Sequence, residues 1–99
     1  MSDFETLDTL MQTVKKRRKD SPEKSYTAKL FRRGREKICQ KVGEEAVELG
    51  LSAVQGHKKE AISESADLLY HLCVLWTDMG ITPQQLMKEL RDREGLSGL

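Results

Sequence analysis

Apolar and polar positions along this chain recur with a period near that of the α-helix, about 3.6 residues. Phe4, Leu7, Leu10, Met11 and Val14 fall on one helical face, Ser2 and Asp3 ahead of them are capping residues, and Glu5 sits in the first turn. This first helix runs out in Lys15-Lys16-Arg17-Arg18-Lys19. Asp20 to Ser25 is a polar break containing Pro22, and Ser25 to Gly34 predicts a turn or two of helix with a left-handed stop at Gly34. A long helix is predicted from Arg35 to Gln55, ended by Gly56, and another from Lys58 to Met79, ended by Gly80. Thr82 followed by Pro83 opens a last helix reaching Arg93, and Gly95 to Leu99 reads as a frayed tail. No run alternates with period two between hairpin residues, so no sheet is expected. The prediction is one all-α domain over residues 1–99, an antiparallel helical bundle of four main helices plus a short one, joined by short connections.

The faces of the two central helices refine this picture. On the Arg35 to Gln55 helix, Ile38, Val42, Ala46, Leu49 and Ala53 fall within an arc of roughly 80° and form the expected core stripe. Gly43 and Gly50 lie beside it, where another backbone can approach closely. Val47, Leu51 and Val54 widen the apolar side, leaving a narrow polar arc to Lys37, Lys41, Glu44, Glu45 and Glu48, with Glu45 bordering the stripe. The following helix is apolar nearly all round in its second half, through Leu68, Leu69, Leu72, Cys73, Val74, Leu75 and Trp76, and is expected to be the most buried element. Glu64, Asp67 and His71 share what polar side it has.

Composition narrows the class. With 37% apolar and 33% charged residues in 99, the chain is too apolar and too periodic for a disordered segment, and a domain of this size gains from association. A net charge of +1 offers no field to gather nucleic acid or acidic lipid. Cys39 and Cys73 lack CxxC spacing and lie within helical patterns, which reads as two buried, reduced thiols in a cytosolic, cytoplasmic setting. The acidic start and the shortness of the longest apolar run, Leu72 to Trp76, argue against a secretory signal or a membrane span. The Lys15 to Lys19 cluster has two readings: cations left solvated at the negative end of a helix dipole, or a contact for phosphate.

Glu45 and Glu48, like Glu64 and Asp67, are three residues apart and so one turn apart on the same side of a helix. If the two helices pack antiparallel, these acidic ledges can face each other and hold a hard cation through oxygen. The competing reading has Lys41 pairing with Glu44 or Glu45 on a solvated face, each pair contributing about 0.2–0.5 kcal/mol. A carboxylate beside so much apolar surface needs a partner to stay charged, either a metal or an arginine. His71 can orient Asp67 from the second shell, act as an acid or base, or be an ordinary hydrogen-bonded histidine. Tyr70 and Trp76 read as core or interface residues, and His57 as part of a helix start.

Three segments carry a resemblance: Ser25-Tyr26-Thr27-Ala28-Lys29-Leu30-Phe31; Lys41-Val42-Gly43-Glu44-Glu45-Ala46 with Glu48; and Glu64 followed by Asp67-Leu68-Leu69-Tyr70-His71-Leu72. Together they resemble the phosphoribosyl-ATP pyrophosphatase family, related to the MazG-like all-α nucleotide pyrophosphohydrolases. The resemblance implies Mg2+-dependent hydrolysis of 1-(5-phosphoribosyl)-ATP to the AMP adduct and pyrophosphate, a step of histidine biosynthesis, by a homodimer whose helices merge into one bundle. It implies that Glu45, Glu48, Glu64 and Asp67 hold the metal and that Glu44, Glu45 and Glu48 serve catalysis, Glu44 either binding metal too or orienting a water. A substrate this rich in phosphate calls for cations near the glutamates, and Lys37, Lys41, Lys29 and Arg32 are the candidates, with Arg33 beside them. Two other functions are weighed against this one. The first is a house-cleaning nucleoside triphosphate pyrophosphohydrolase; the second is a helical dimerisation or adaptor module that touches nucleic acid through Lys15 to Lys19. The balance of charge favours neither a nucleic-acid nor a membrane partner.

Overall fold

The computed structural model describes residues 3–95, with the side chains of residues 3 and 4 left aside. The expected Ser2 cap, the Phe4 side chain and the tail from Leu96 onward lie outside the described residues. Five helices follow in order: α1 Asp3–Arg17, α2 Tyr26–Arg33, α3 Arg35–Val54, α4 Lys58–Met79 and α5 Pro83–Asp92, with no strand among the described residues.

Local signals set most of these boundaries. The Ser25 hydroxyl accepts the Ala28 N–H at 3.1 Å and starts α2. Thr82 and Gln85 form a reciprocal capping box over Pro83, with bonds of 3.2 and 2.8 Å, and start α5. At the end of α3 the His57 N–H reaches the Ser52 carbonyl and the Gly56 N–H the Ala53 carbonyl. The end of α4 repeats the pattern, from Ile81 to Trp76 and from Gly80 to Thr77. These paired bonds need a left-handed residue, which Gly56 and Gly80 supply at φ 74 and 73°. Gly34 differs from expectation. Its φ of 95° and ψ of 176° are not left-handed helix but a region open essentially to glycine alone. It donates to Leu30 at 3.1 Å and accepts from Ile38 at 3.2 Å, so one residue both ends α2 and begins α3.

The antiparallel pair α3 and α4 is the most extensive packing in the molecule. Glu45 meets Glu64 near its middle while Arg35 meets Asp78 at one end. Helix α1 crosses α4, and α2 lies against both α3 and α4. Met11, Val14, Leu30, Ile38, Cys73 and Val74 form the core where these four helices converge, with Phe31, Tyr70 and Trp76 packed on it. Full burial of each large apolar side chain here contributes about 1.5–3 kcal/mol. Asp78 ties this end together. It accepts from Arg35 Nε at 2.8 Å and lies 3.7 Å from Arg18, whose guanidinium sits 4.6 Å above the Phe31 ring. Arg18 thus gains partners in Asp78 and Phe31 while remaining exposed like the rest of its basic cluster.

Helix α5 packs lightly, through buried Pro83 beside Leu7 and Asp8 of α1. The core occupies only one end of the α3–α4 pair, and the consequence is visible on α3. Ile38, Glu45 and Ser52 are buried at seven-residue intervals, whereas Ala46 and Ala53, expected in the core, are exposed. An apolar strip on that stretch of α3, Val47, Leu51 at 59% and Val54 at 89% exposure, is left open, as is Ile62 of α4 at 64%. The cysteines divide in the same way. Cys73 is buried, which pushes its thiol up to about 11, while Cys39 is exposed rather than buried as expected. Among the described residues no helix is long and apolar enough to cross a membrane.

Candidate metal centre

The three-residue spacing on α3 and the antiparallel register with α4 bring Glu45, Glu48 and Glu64 together, each offering a carboxylate oxygen within 4.8 Å of the others. Glu45 is buried between the helices, Glu64 partly covered and Glu48 exposed. One oxygen of Glu45 and one of Glu64, Oε2 in each case, is buried without a hydrogen-bond partner. Such groups are costly unless something neutralises them. Burial, and then the Glu48 and Glu45 carboxylates beside it, push Glu64 up to about 7. An all-oxygen set of this kind suits a hard divalent cation. Two oxygens about 2.1 Å from one Mg2+ stand about 3 Å apart when adjacent and about 4 Å when opposite, so a trio within 4.8 Å needs to draw in by about 1–2 Å, within the reach of glutamate side chains. The residues present fit the ion.

Around the trio the other predicted residues divide. Lys41 Nζ is 3.2 Å from Glu44 and 3.9 Å from Glu45, spanning the exposed carboxylate and the buried one. Its bond to Glu44 raises its pKa, and the Tyr26 phenol, Glu44 and Glu45 add to the effect. Glu44 accepts from Gln40 at 2.7 Å and from Lys41, which hold its carboxyl below the usual range. The Lys41–Glu44 ion pair foreseen on a solvated face is therefore present, while Glu45 is turned into the protein. Lys37, one turn earlier, is half-buried and its charge reaches Glu44. Lys29 is exposed on α2, and Arg32 lines a surface hollow with Arg18, Asp20, Pro22 and Phe31 rather than joining the glutamates.

Asp67 is exposed and stands outside the trio, three residues beyond Glu64. His71 is buried but does not reach the Asp67 carboxylate. Its Nδ1 donates to the Asp67 carbonyl at 2.8 Å, the acceptor that a side chain four residues on naturally finds in a helix. With that proton on Nδ1, Nε2 accepts from the Tyr26 hydroxyl at 3.1 Å. The Tyr26 ring is offset-stacked on Tyr70, with centroids 6.2 Å apart, and meets His71 edge-on at 5.9 Å. The Tyr70 hydroxyl bonds to Thr27 Oγ1, and burial raises its pKa. Sequence reading missed this knot around Tyr26 and did not foresee the pairing of Asp78 with Arg35 and Arg18. Tyr26 carries no spacing signal, being simply the first residue after a helix cap.

An all-α chain with a carboxylate trio across an antiparallel helix pair falls in the class of helical bundles whose facing helices present a donor set that could hold a metal ion. The chain belongs to the phosphoribosyl-ATP pyrophosphohydrolase family, whose profile matches residues 7–94. It is 58% identical over 93 residues to the phosphoribosyl-ATP pyrophosphatase of Azospirillum brasilense, covering 94% of this chain and 84% of that one. It is 53% identical over 93 residues to the protein of the same name from Gluconobacter oxydans, covering 94% and 70%. The likeness to that of Paramagnetospirillum magneticum is 50% over 97 residues, covering 98% and 89%.

Proposed function

We infer that this chain hydrolyses 1-(5-phosphoribosyl)-ATP to 1-(5-phosphoribosyl)-AMP and pyrophosphate, the second step of histidine biosynthesis, with Mg2+ as cofactor. The observation that carries the reading is the trio of Glu45, Glu48 and Glu64 with its two orphaned buried oxygens, in a chain of this family. These three residues would hold the ion, and Asp67, exposed outside the trio one turn beyond Glu64, would serve as a fourth donor by turning its side chain toward them. When bound, Mg2+ supplies neutralisation of the charge spread over the phosphoanhydride.

The remaining chemistry falls to the chain's own groups. Glu44, kept ionised by Gln40 and Lys41, is a weak base but a good acceptor, which suits orienting the attacking water. Glu48, exposed at the rim of the trio, is the better placed to take the water's proton. Lys41, which rests against two carboxylates at the edge of the trio, would offer its ammonium to substrate phosphate, with Lys37 one turn behind it. Lys29 and Arg32 belong to the outer field that draws in the polyanion. His71 fixes the α4 backbone at Asp67. The open strip of Val47, Leu51, Val54 and Ile62 supports a homodimer in which a second copy covers it and completes the bundle. We place the protein in the cytoplasm, where exposed Cys39 stays reduced.

Pyrophosphate release from phosphoribosyl-ATP, measured with Mg2+ and with a chelator, tests the reading. Turnover is expected only with the metal, and Glu45→Gln should lower it by about 10²–10³. Full turnover in folded Glu45→Gln, or preference for dCTP or dUTP in the same assay, would refute it.

A further inference from the structure

Of the knot of Tyr26, Tyr70 and His71, the chemistry above uses only the His71 bond to the Asp67 carbonyl, and the two tyrosines have no part in it. His71 is seven residues beyond Glu64 on α4, which sets it about 10 Å along the helix from the trio. Lys41, against Glu44 and Glu45, also feels the Tyr26 phenol, and α2, which carries Tyr26, packs on both α3 and α4. In a nucleoside triphosphate the base and the cleaved anhydride are separated by a comparable reach, spanned by ribose and α-phosphate.

Tyr26 is an unusual ring for a protein surface. It is 51% exposed, yet its hydroxyl is held by His71, it leans on Tyr70, and its backbone is fixed by the Ser25 cap. His71 is in turn locked by the Asp67 carbonyl, and Tyr70 by Thr27. An aromatic side chain ordered at this cost with half its surface in water is prepared for a flat apolar partner, since its rotamer freedom is lost before any ligand arrives. We propose that Tyr26 is the platform on which the purine of the nucleotide stacks, held at a fixed distance from the glutamates by His71 and Tyr70. The proposal rests on the pyrophosphohydrolase reading for its substrate but not for its test.

Calorimetric titration of the protein with ATP and with inorganic tripolyphosphate, each with Mg2+, isolates the base from the phosphates. ATP is expected to bind about tenfold or more tightly than tripolyphosphate. Tyr26→Leu should abolish that margin and leave tripolyphosphate affinity alone, while Tyr26→Phe, which keeps the ring and loses only the His71 bond, should retain most of it. On the unaltered protein, ATP but not tripolyphosphate should shift the Tyr26 ring resonances, assigned by their loss in Tyr26→Phe. With phosphoribosyl-ATP as substrate, Tyr26→Leu should raise KM with kcat within about threefold. Equal binding of the two probes by the wild type, unshifted Tyr26 resonances, or a margin that survives in folded Tyr26→Leu overturns the assignment. The ATP margin is read whether or not phosphoribosyl-ATP is turned over, so the two readings can fail separately.

Discussion

Raising the pH through neutrality should destabilise the protein when no divalent cation is present. Glu64 titrates at about 7 when folded, against an ordinary value of 4.5. Between those values the folded chain keeps a proton that the unfolded chain has released, so stability falls as pH rises. With a pKa of about 7, Glu64 is roughly one-tenth ionised at about pH 6 and nine-tenths at about pH 8, and the third negative charge of the trio develops across that interval. A bound cation reverses the preference, because the ionised trio is the state that binds it. Metal at about a hundred times its Kd adds about 2.7 kcal/mol, which in a domain of this size raises the melting temperature on the order of 10 °C. Thermal unfolding followed by circular dichroism, in chelator and in excess Mg2+ at several pH values from about 5 to 8, reads both effects. The melting temperature in chelator should decline from about pH 5 to 7 and level off by about pH 8, and the gain from Mg2+ should grow. Glu64→Gln should flatten the decline and remove most of the gain. A wild-type melting temperature in chelator that is level or rises from about pH 5 to 7, or the same slope in Glu64→Gln, would refute the reasoning.

Three further outcomes are expected. Asp78→Asn removes the charge shared by Arg35 and Arg18 and should cost about 1–2 kcal/mol, lowering the melting temperature by about 5–10 °C while leaving pyrophosphate release at low temperature unchanged. Ile38→Ala empties a fully buried site and should cost about 2–5 kcal/mol, seen as a lower urea midpoint. Leu51→Asp places a charge in the exposed apolar strip, and light scattering should find the protein shifted from dimer to monomer.

The helix ends were legible because their determinants are local: Gly56 and Gly80 after apolar periodic runs, and Thr82 before Pro83. Glu45, Glu48 and Glu64 were legible for a related reason, since a three-residue step fixes a shared side and a short connection fixes antiparallel register. The rotation of α3 was not legible. Its apolar residues cover more than half the helix, and which part meets the chain's own core depends on where α1 and α2 come to rest. They rest at one end, so Ile38 is covered and Ala46 and Ala53 are not. Cys39, one residue round from Ile38, turns outward for the same reason. Asp67 shows how coarse the helical rule is. Three residues leave about 60° of rotation from Glu64, enough to take it from the trio to the exposed side.

Gly34 joins the helix that carries Tyr26 to the helix that carries the glutamates, with no other residue between them. A side chain there would have to leave the φ of 95°, and α2 would swing as a lever on α3 although neither helix had changed. Such a swing would alter the gauge between the aromatic knot and the acidic centre, so the length of molecule the enzyme accepts could be reset from a position that touches no ligand at all.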